Sequence, residues 1–330
     1  MRYACFTTRH HDGYALFDTA ASAFNSVKSP LGRDLVGEYV EACRKHGLGV
    51  GLYYSVADWG DVGFCDGPVK NPAGWKRFVG IAQEQLRELM SRYGRIDYLF
   101  YDGCPPSETW GGAEINAEIR RLQPGILISD RCGLEEDVRS AEGHTIGDPG
   151  KVWESCLTMN ASWGYNYGDP DWKSSRDVVK TLMNCAHNGG NLLLNIGPMA
   201  DGTVPDKSLK ILKDMKAWLD RNGAAIFGTM PHPFNYADQK LSTGQGNTVY
   251  VALCWYHGAE TVVGGVGNRV ISVRTLADNR SIAFQQEGSR VMLTGLPGCS
   301  PDPLLAVVAL ELDDAPKGLP YPPSIAARYN

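Results

Sequence analysis

Short apolar runs alternate with stretches in which apolar side chains recur every third or fourth position, and the alternation persists to residue 228. Tyr3–Thr8 reads as a strand that runs into Arg9-His10-His11-Asp12-Gly13. Asp34 then opens a helix with Leu35, Val36, Tyr39, Val40 and Cys43 on one face. Lys45-His46-Gly47 closes it, basic residues followed by a glycine suited to a left-handed cap. Leu48–Tyr54 is nearly continuous in apolar residues, as a strand covered on both faces must be. Asp58–Pro72, rich in Gly, Asp and Pro, reads as a loop; Trp75, Phe78, Val79, Ala82, Leu86, Leu89 and Met90 follow at helical spacing. Gly94 ends that helix, and Ile96–Tyr101 is a strand leading straight into Asp102-Gly103. The series continues with a helix near Ala113–Leu122, a strand Ile126–Ser129, a polar loop Cys132–Lys151 and a strand Val152–Thr158. A helix Ser175–His187, a strand Asn191–Ile196 and a helix through Leu209, Leu212, Met215, Trp218 and Leu219 end it.

Strand–helix alternation with short connections predicts an α/β fold with a parallel sheet. The pattern yields six strands where a closed (β/α)8 barrel needs eight. The expected architecture is therefore a (β/α)8-like barrel, incomplete in its first strands. Past Thr229 the texture changes. Thr248–Trp255, Asn268–Thr275, Ser281–Gln285, Arg290–Leu293 and Leu304–Leu312 are short alternating runs between Gly, Asn and Pro turns, the pattern of an all-β sandwich. The expected domains are residues 1–228, carrying the chemistry, and 229–330.

With 330 residues, 43% of them hydrophobic and 21% charged, the chain can bury a sizeable core. A net charge of −5 without a long basic run argues against nucleic acid or an anionic membrane surface as partner. No apolar run reaches the ~18 residues that a membrane helix needs. The nine cysteines are scattered and include no Cys-x-x-Cys pair, so they read mostly as small buried hydrophobes.

The candidate chemistry lies at the C-terminal strand ends, where barrel enzymes keep it. His10, His11, Tyr53, Asp102, Arg131 and Trp153-Glu154 fall there, and the loop before Trp153 adds Glu135, Glu136 and Glu142. Trp59, Trp110, Trp163, Tyr165 and Trp172 crowd the same connections. Carboxylates with aromatic platforms and His/Arg donors suit a sugar: rings stack on aromatic faces, and two carboxyl groups flank the bond to be cut. Plainer readings stand beside each. Asp102 would serve as a turn or helix cap, and His-His-Asp as a turn bonded to backbone. Arg131 would pair with Asp130 or Glu154, and the tryptophans near 163 would be loop packing. The adjacent histidines would also suit a metal, but no His-x-His or His-Glu-x-x-His spacing accompanies them. No metal and no cofactor is expected.

Four segments in order carry a resemblance: His10-His11-Asp12-Gly13; Phe100-Tyr101-Asp102-Gly103; Trp153-Glu154 with Ser162-Trp163-Gly164-Tyr165-Asn166; and Gly189-Gly190-Asn191-Leu192-Leu193-Leu194-Asn195-Ile196-Gly197-Pro198. They resemble the signature blocks of the α-L-fucosidases of glycoside hydrolase family 29, and Leu209–Gly228 resembles the helix that closes that family's catalytic domain. The resemblance implies a (β/α)8-like barrel, a C-terminal β-sandwich and retaining, metal-free hydrolysis of fucosylated oligosaccharides or glycoconjugates. It makes Asp102 the nucleophile and His10, His11, Tyr53, Phe100, Arg131 and Trp163 the sugar contacts. Asp137-Val138-Arg139-Ser140-Ala141-Glu142 resembles a stretch that often reads Asp-Phe-x-Thr-Pro-Glu and nominates Glu142 as acid/base; Ala141 departs from the pattern, and Glu135, Glu136 and Glu154 remain rivals.

Family members ordinarily begin with a further segment bearing the first barrel strands and a Phe-Gly-x-Phe-x-His-Trp-Gly block, whereas this chain opens at what resembles the third strand. That agrees with the count of six. The resemblance also implies a secreted or periplasmic protein, although the residues that open this chain lack the apolar core of a signal peptide. Two other readings stay open: a fucose-binding or fold-defective remnant without turnover, and a metal-dependent hydrolase using His10 and His11. Neither the linkage nor self-association is legible.

Overall fold

The first apolar run forms β1 (Tyr3–Arg9), paired in parallel with β2 (Gly49–Ser55). Next come β3 (Tyr98–Asp102) and the two-residue β4 (Leu127–Ile128), so one parallel sheet runs β1-β2-β3-β4. A computed structural model describes residues 1–145, 147, 150–231 and 241–319; the parts of the expected sandwich at 232–240 and 320–330 lie outside the described residues. The chain divides into two compact units, Met1–Ser140 and Ala141–Asn330.

In the first unit the crossovers are α1 (Leu35–Lys45), then α2 (Val62–Lys70) with α3 (Pro72–Arg92), and then α4 (Ser107–Trp110) with α5 (Gly112–Leu122). Asp34 caps α1 by accepting from the Gly37 amide at 2.8 Å, and Asn71 caps α3 through Gly74 at 3.0 Å. One core holds Val36 and Val40 of α1, Leu52 and Tyr54 of β2, Phe78, Leu86 and Leu89 of α3, Leu99 and Tyr101 of β3, and Ile115 and Ile119 of α5. Each such side chain contributes about 1.5–3 kcal/mol when fully buried. The two buried tyrosine hydroxyls of this core are matched: Tyr54 donates to Gln85 Oε1 and Tyr101 to Asn116 Oδ1, both at 2.8 Å.

Two departures from the sequence pattern occur here. The expected loop Asp58–Pro72 contains α2, broken at Gly67 (φ 75°) before Pro68. The expected polar loop Cys132–Lys151 contains a strand, β5 (Val138–Glu142), in which Val138 and Ala141 are buried and Arg139 and Glu142 exposed. This strand runs across the division of the chain and is the edge of a sheet ordered β5-β6-β7, with β6 (Val152–Thr158) parallel to β7 (Asn191–Asn195).

In the second unit α6 (Ser175–His187) starts on a reciprocal capping box between Ser174 and Asp177, and α7 (Asp206–Asn222) packs beside it. Downstream, β8 (Leu241–Gln245), β9 (Thr248–Leu253), β11 (Val270–Thr275) and β14 (Ala306–Leu312) form an antiparallel sheet ordered β11-β14-β9-β8. A second antiparallel sheet, β10-β13-β12, comprises β10 (Thr261–Val263), β13 (Arg290–Leu293) and β12 (Phe284–Glu287). Val249, Val251, Val263, Val273, Val291, Leu293, Val308 and Leu310 fill one core between them, so the β-rich texture past Thr229 is a two-sheet packing. The opposite face of the larger sheet takes Val179 and Met183 of α6 and Trp218 of α7. The Trp218 indole donates to the Leu305 carbonyl at 2.8 Å, and Arg221 binds buried Asp302 at 2.7 Å. These contacts are why both helices group with the β-rich part of the chain. Of the nine cysteines, Cys43, Cys132, Cys156, Cys185 and Cys254 are buried as expected, while Cys65 and Cys299 are exposed. Among the described residues no helix is long and apolar enough to cross a membrane.

Candidate active site

Side chains two apart on a strand share a face, so Tyr98, Phe100 and Asp102 lie on the side of the sheet opposite Leu99 and Tyr101. Aromatic rings ascend this face toward the strand ends. Tyr98 meets Phe100 edge-on at 6.1 Å, Phe100 stacks on Tyr53 at 5.7 Å, and Tyr53 stacks on His10 at 5.6 Å. In the β2–β3 register Tyr53 stands opposite Phe100 and Ser55 opposite Asp102. The ladder therefore ends at a carboxylate.

Three donors hold that carboxylate. Arg131, on the short turn Asp130–Cys132, donates to Oδ1 at 2.7 Å, the Gly103 amide to Oδ1 at 2.9 Å, and the Tyr53 hydroxyl to Oδ2 at 2.6 Å. Burial is the largest single influence on Asp102 and opposes ionisation; the bonds from Arg131 and Tyr53, with the Arg131 charge, together outweigh it and hold the carboxyl below the usual range. The guanidinium also lies 5.4 Å above the Phe100 ring. Phe100 is thus 4% exposed and backs Tyr53 and Arg131, with little of its own ring free. Arg131 thus pairs with Asp102, a partner that the plainer reading of the sequence did not name.

His11 Nε2 stands 3.6 Å from Asp102 Oδ2, and its Nδ1 lies 2.6 Å from Ser55 Oγ. Burial first, and then neighbouring His10, lower the His11 pKa. His10 is exposed, its ring 4.1 Å from that of His11. Gly103 turns away at φ 56°, where a Cβ would come within 2.8 Å of Ala57 Cβ and 3.0 Å of the His11 ring. Glycine is needed at this point twice over, for the backbone and for the histidine.

Two supporting residues escaped the sequence reading. Ser55 orients His11; the available signal was its place two residues beyond Tyr53, on the same strand face. Arg9 is 1% exposed, yet its Nη1 donates to the Ser55 carbonyl at 2.6 Å and to those of Val56 and Ala57 at 3.3 Å, while Nη2 binds Asp58 at 2.6 Å. It fixes the end of β2 directly under the histidines. The turn beyond is tied as well: the Trp59 amide donates to the His11 carbonyl at 2.7 Å, leaving the indole 69% exposed and 4.8 Å from the His11 ring.

The first unit thus gathers His10, His11, Tyr53, Phe100, Asp102 and Arg131. Glu142 and Trp163 belong to the second unit. Glu142 ends β5 and is exposed; its carbonyl lies 2.9 Å from His144 Nδ1. Trp163 is 43% exposed, and its carbonyl accepts from Asn195 at 2.7 Å. Its loop is gathered by Asp169, which accepts from the Asn160 side chain, the Ala161 amide and the Ser162 hydroxyl. Two of the rival acids are engaged or enclosed: Glu136 accepts from Asn116 at 2.7 Å and pairs with Arg120, and Glu154 is 2% exposed.

An ionised carboxylate at a strand end, flanked by two histidines, a tyrosine and an arginine, can attack a carbon electrophile while its neighbours bind hydroxyl groups. Residues 1–224, which include all of these groups, match the family model described as alpha-L-fucosidase. The chain belongs to the alpha-L-fucosidase family. Among curated family members, the alpha-L-fucosidase of Dictyostelium discoideum is 29% identical over 247 residues, covering 70% of this chain and 53% of that protein. The plasma alpha-L-fucosidase of Rattus norvegicus is 31% identical over 246 residues, covering 69% and 53%. The chain therefore spans about half the length of these relatives. Among solved family structures, alpha-L-fucosidase isoenzyme 1 from Paenibacillus thiaminolyticus superposes with a TM-score of 0.87 at 32% identity, over 95% of this chain and 84% of that one. The Thermotoga maritima alpha-fucosidase gives 0.81 at 29% identity, over 94% and 75%.

Proposed function

We propose that this protein hydrolyses terminal α-L-fucose from fucosylated oligosaccharides or glycoconjugates by a retaining, two-carboxylate mechanism. The observation that carries the reading is the Asp102 carboxylate, held ionised by Arg131 and Tyr53 at a strand end beside His10 and His11. Family membership supports the reaction class, and the Thermotoga maritima relative was solved in complex with a mechanism based inhibitor. In this reading residues 1–228 are the catalytic part, a (β/α)8-like barrel, and 229–330 a β-sandwich; the family match ending at residue 224 is in keeping with that division.

Asp102 attacks the anomeric carbon as the bond to the aglycone oxygen breaks, and Glu142 gives that oxygen its proton. The product is a fucosyl ester on Asp102. Glu142, now ionised, takes a proton from water, the water oxygen attacks the same carbon, and the ester bond breaks to restore Asp102. Two inversions retain the α configuration. His10, His11 and Tyr53 bind the sugar hydroxyls, Arg131 keeps Asp102 ionised between turnovers, and Phe100 holds Tyr53 and Arg131 in place. Trp163 supplies an aromatic face for the ring.

The test is nitrophenol release from an aryl α-L-fucoside by the wild type and by Asp102→Ala, with proton NMR of the first fucose anomer formed. Turnover abolished in the variant and α-L-fucose formed first are expected. Initial β-L-fucose refutes retention. Fucose binding without turnover in the wild type supports the remnant reading instead.

A further inference from the structure

His11 Nε2 and Asp102 Oδ2 face each other across 3.6 Å, beyond hydrogen-bond distance. Ser55 accounts for the gap. Its hydroxyl lies 3.2 Å from the Ala57 carbonyl and can donate there, which leaves its oxygen to accept from His11 Nδ1–H. In that tautomer Nε2 presents a lone pair to the carboxylate, and no proton of either group lies between them. His10 completes the set: among the described residues, ligand atoms of His10, His11 and Asp102 all lie within 4.8 Å of one another.

The geometry suits a tetrahedral ion. With bonds of about 2.0–2.1 Å, its ligand atoms stand about 3.3 Å apart. The His11–Asp102 pair is already near that spacing, and the exposed His10 ring can rotate to reach it. A ligating histidine is usually oriented by an acceptor on its far ring nitrogen, a carboxylate, backbone carbonyl or water, and the Ser55 hydroxyl takes that place here. Two imidazoles and one carboxylate favour a borderline-soft cation over Mg²⁺ or Ca²⁺, which take oxygen ligands. Arg131 sits on Oδ1 and Tyr53 on Oδ2, so the ion must use the remaining lone pair of Oδ2 beside a fixed positive charge. That charge keeps binding weak and reversible.

We propose that His10, His11 and Asp102 form a site for Zn²⁺ or a cation of the same chemistry, and that the bound ion excludes the sugar from Asp102. The exclusion rests on the function proposed above; the binding does not. Cobalt(II) is the probe, added to the full chain and followed by its visible d–d absorption. The expected result is saturable binding of one ion, displaced by Zn²⁺ and untouched by Mg²⁺. It should weaken at least tenfold in His10→Ala and in His11→Ala and stay unchanged in His144→Ala. Circular dichroism checks that each variant folds, and the exposed position of His10 makes its variant the decisive one. Absence of saturable binding, or unchanged affinity in His10→Ala, overturns the site. Where turnover is present, Zn²⁺ must inhibit it competitively with the fucoside and a chelator must restore it; non-competitive inhibition overturns the exclusion. Absence of turnover sinks the function while the cobalt titration still decides the site.

Discussion

Replacing Arg9 with Met removes a guanidinium that no solvent would replace without rearrangement. The side chain is 2% exposed and Asp58 opposite is 18% exposed, so the pair is largely desolvated. Loss of one partner from a buried ion pair costs about 3–5 kcal/mol, because the other charge stays behind unmatched. Methionine fills most of the volume, but it leaves the Ser55, Val56 and Ala57 carbonyls without this donor. Urea unfolding of the full chain, read by tryptophan fluorescence, is the assay. With a slope of about 2–3 kcal/mol/M, the first transition should move down by about 1–2.5 M. Arg9→Lys should recover only part of this, since an ammonium is a point charge without the planar fork that reaches several oxygens together. A midpoint in Arg9→Met within about 0.3 M of wild type would refute the reasoning and mean that the clamp is redundant.

Asp102 titrates below its ordinary range, so its share of stability is present above the unfolded-state value and lost as pH falls through the lowered one. Arg131→Met leaves burial to dominate, and both the acid limb of kcat/KM and the onset of acid unfolding should move to higher pH in pH–rate profiles and melts. Glu142→Gln should slow fucosides with poor leaving groups strongly and activated aryl fucosides much less, since the latter need little protonation; equal losses in steady-state kinetics would exclude Glu142 as the acid. A Cβ at Gly190 would lie 2.2 Å from the Trp153 ring, so Gly190→Ala should cost about 1–3 kcal/mol in chemical denaturation. Gly80, inside α3, has nothing within 4 Å of such an atom, and Gly80→Ala should instead stabilise by about 0.5–1 kcal/mol in the same measurement.

The strands and helices that bury an apolar face were legible because burial writes its period into the chain: α6 spans the residues its spacing predicted. The strand β5 was not, because Val-Arg-Ser-Ala-Glu buries only Val138 and Ala141 and reads as polar loop. Helix α2 was hidden by its own Gly67-Pro68 break. The histidines, Tyr53, Asp102 and Arg131, which the fold brings together, were singled out through chemistry and family pattern, since each carries a reactive or charged group near a strand end. Ser55 and Arg9 were missed for the opposite reason. Their importance arises from pairing with residues 44 and 46 positions away, which no local window contains.

That separation bears on the order in which the molecule comes together. Arg9 can close on the Ser55–Ala57 carbonyls only after β1 and β2 have paired in parallel, and that pairing requires the α1 crossover to be in place. The two histidines follow Arg9 directly in the chain, so nothing holds them beside Asp102 in a partly paired sheet. Catalytic competence should therefore appear late in refolding, after most helical signal has returned. Amide exchange at Val56 and Trp59, whose N–H groups are bound to the Asp102 and His11 carbonyls, should report opening of the entire β1–β3 sheet rather than local fraying.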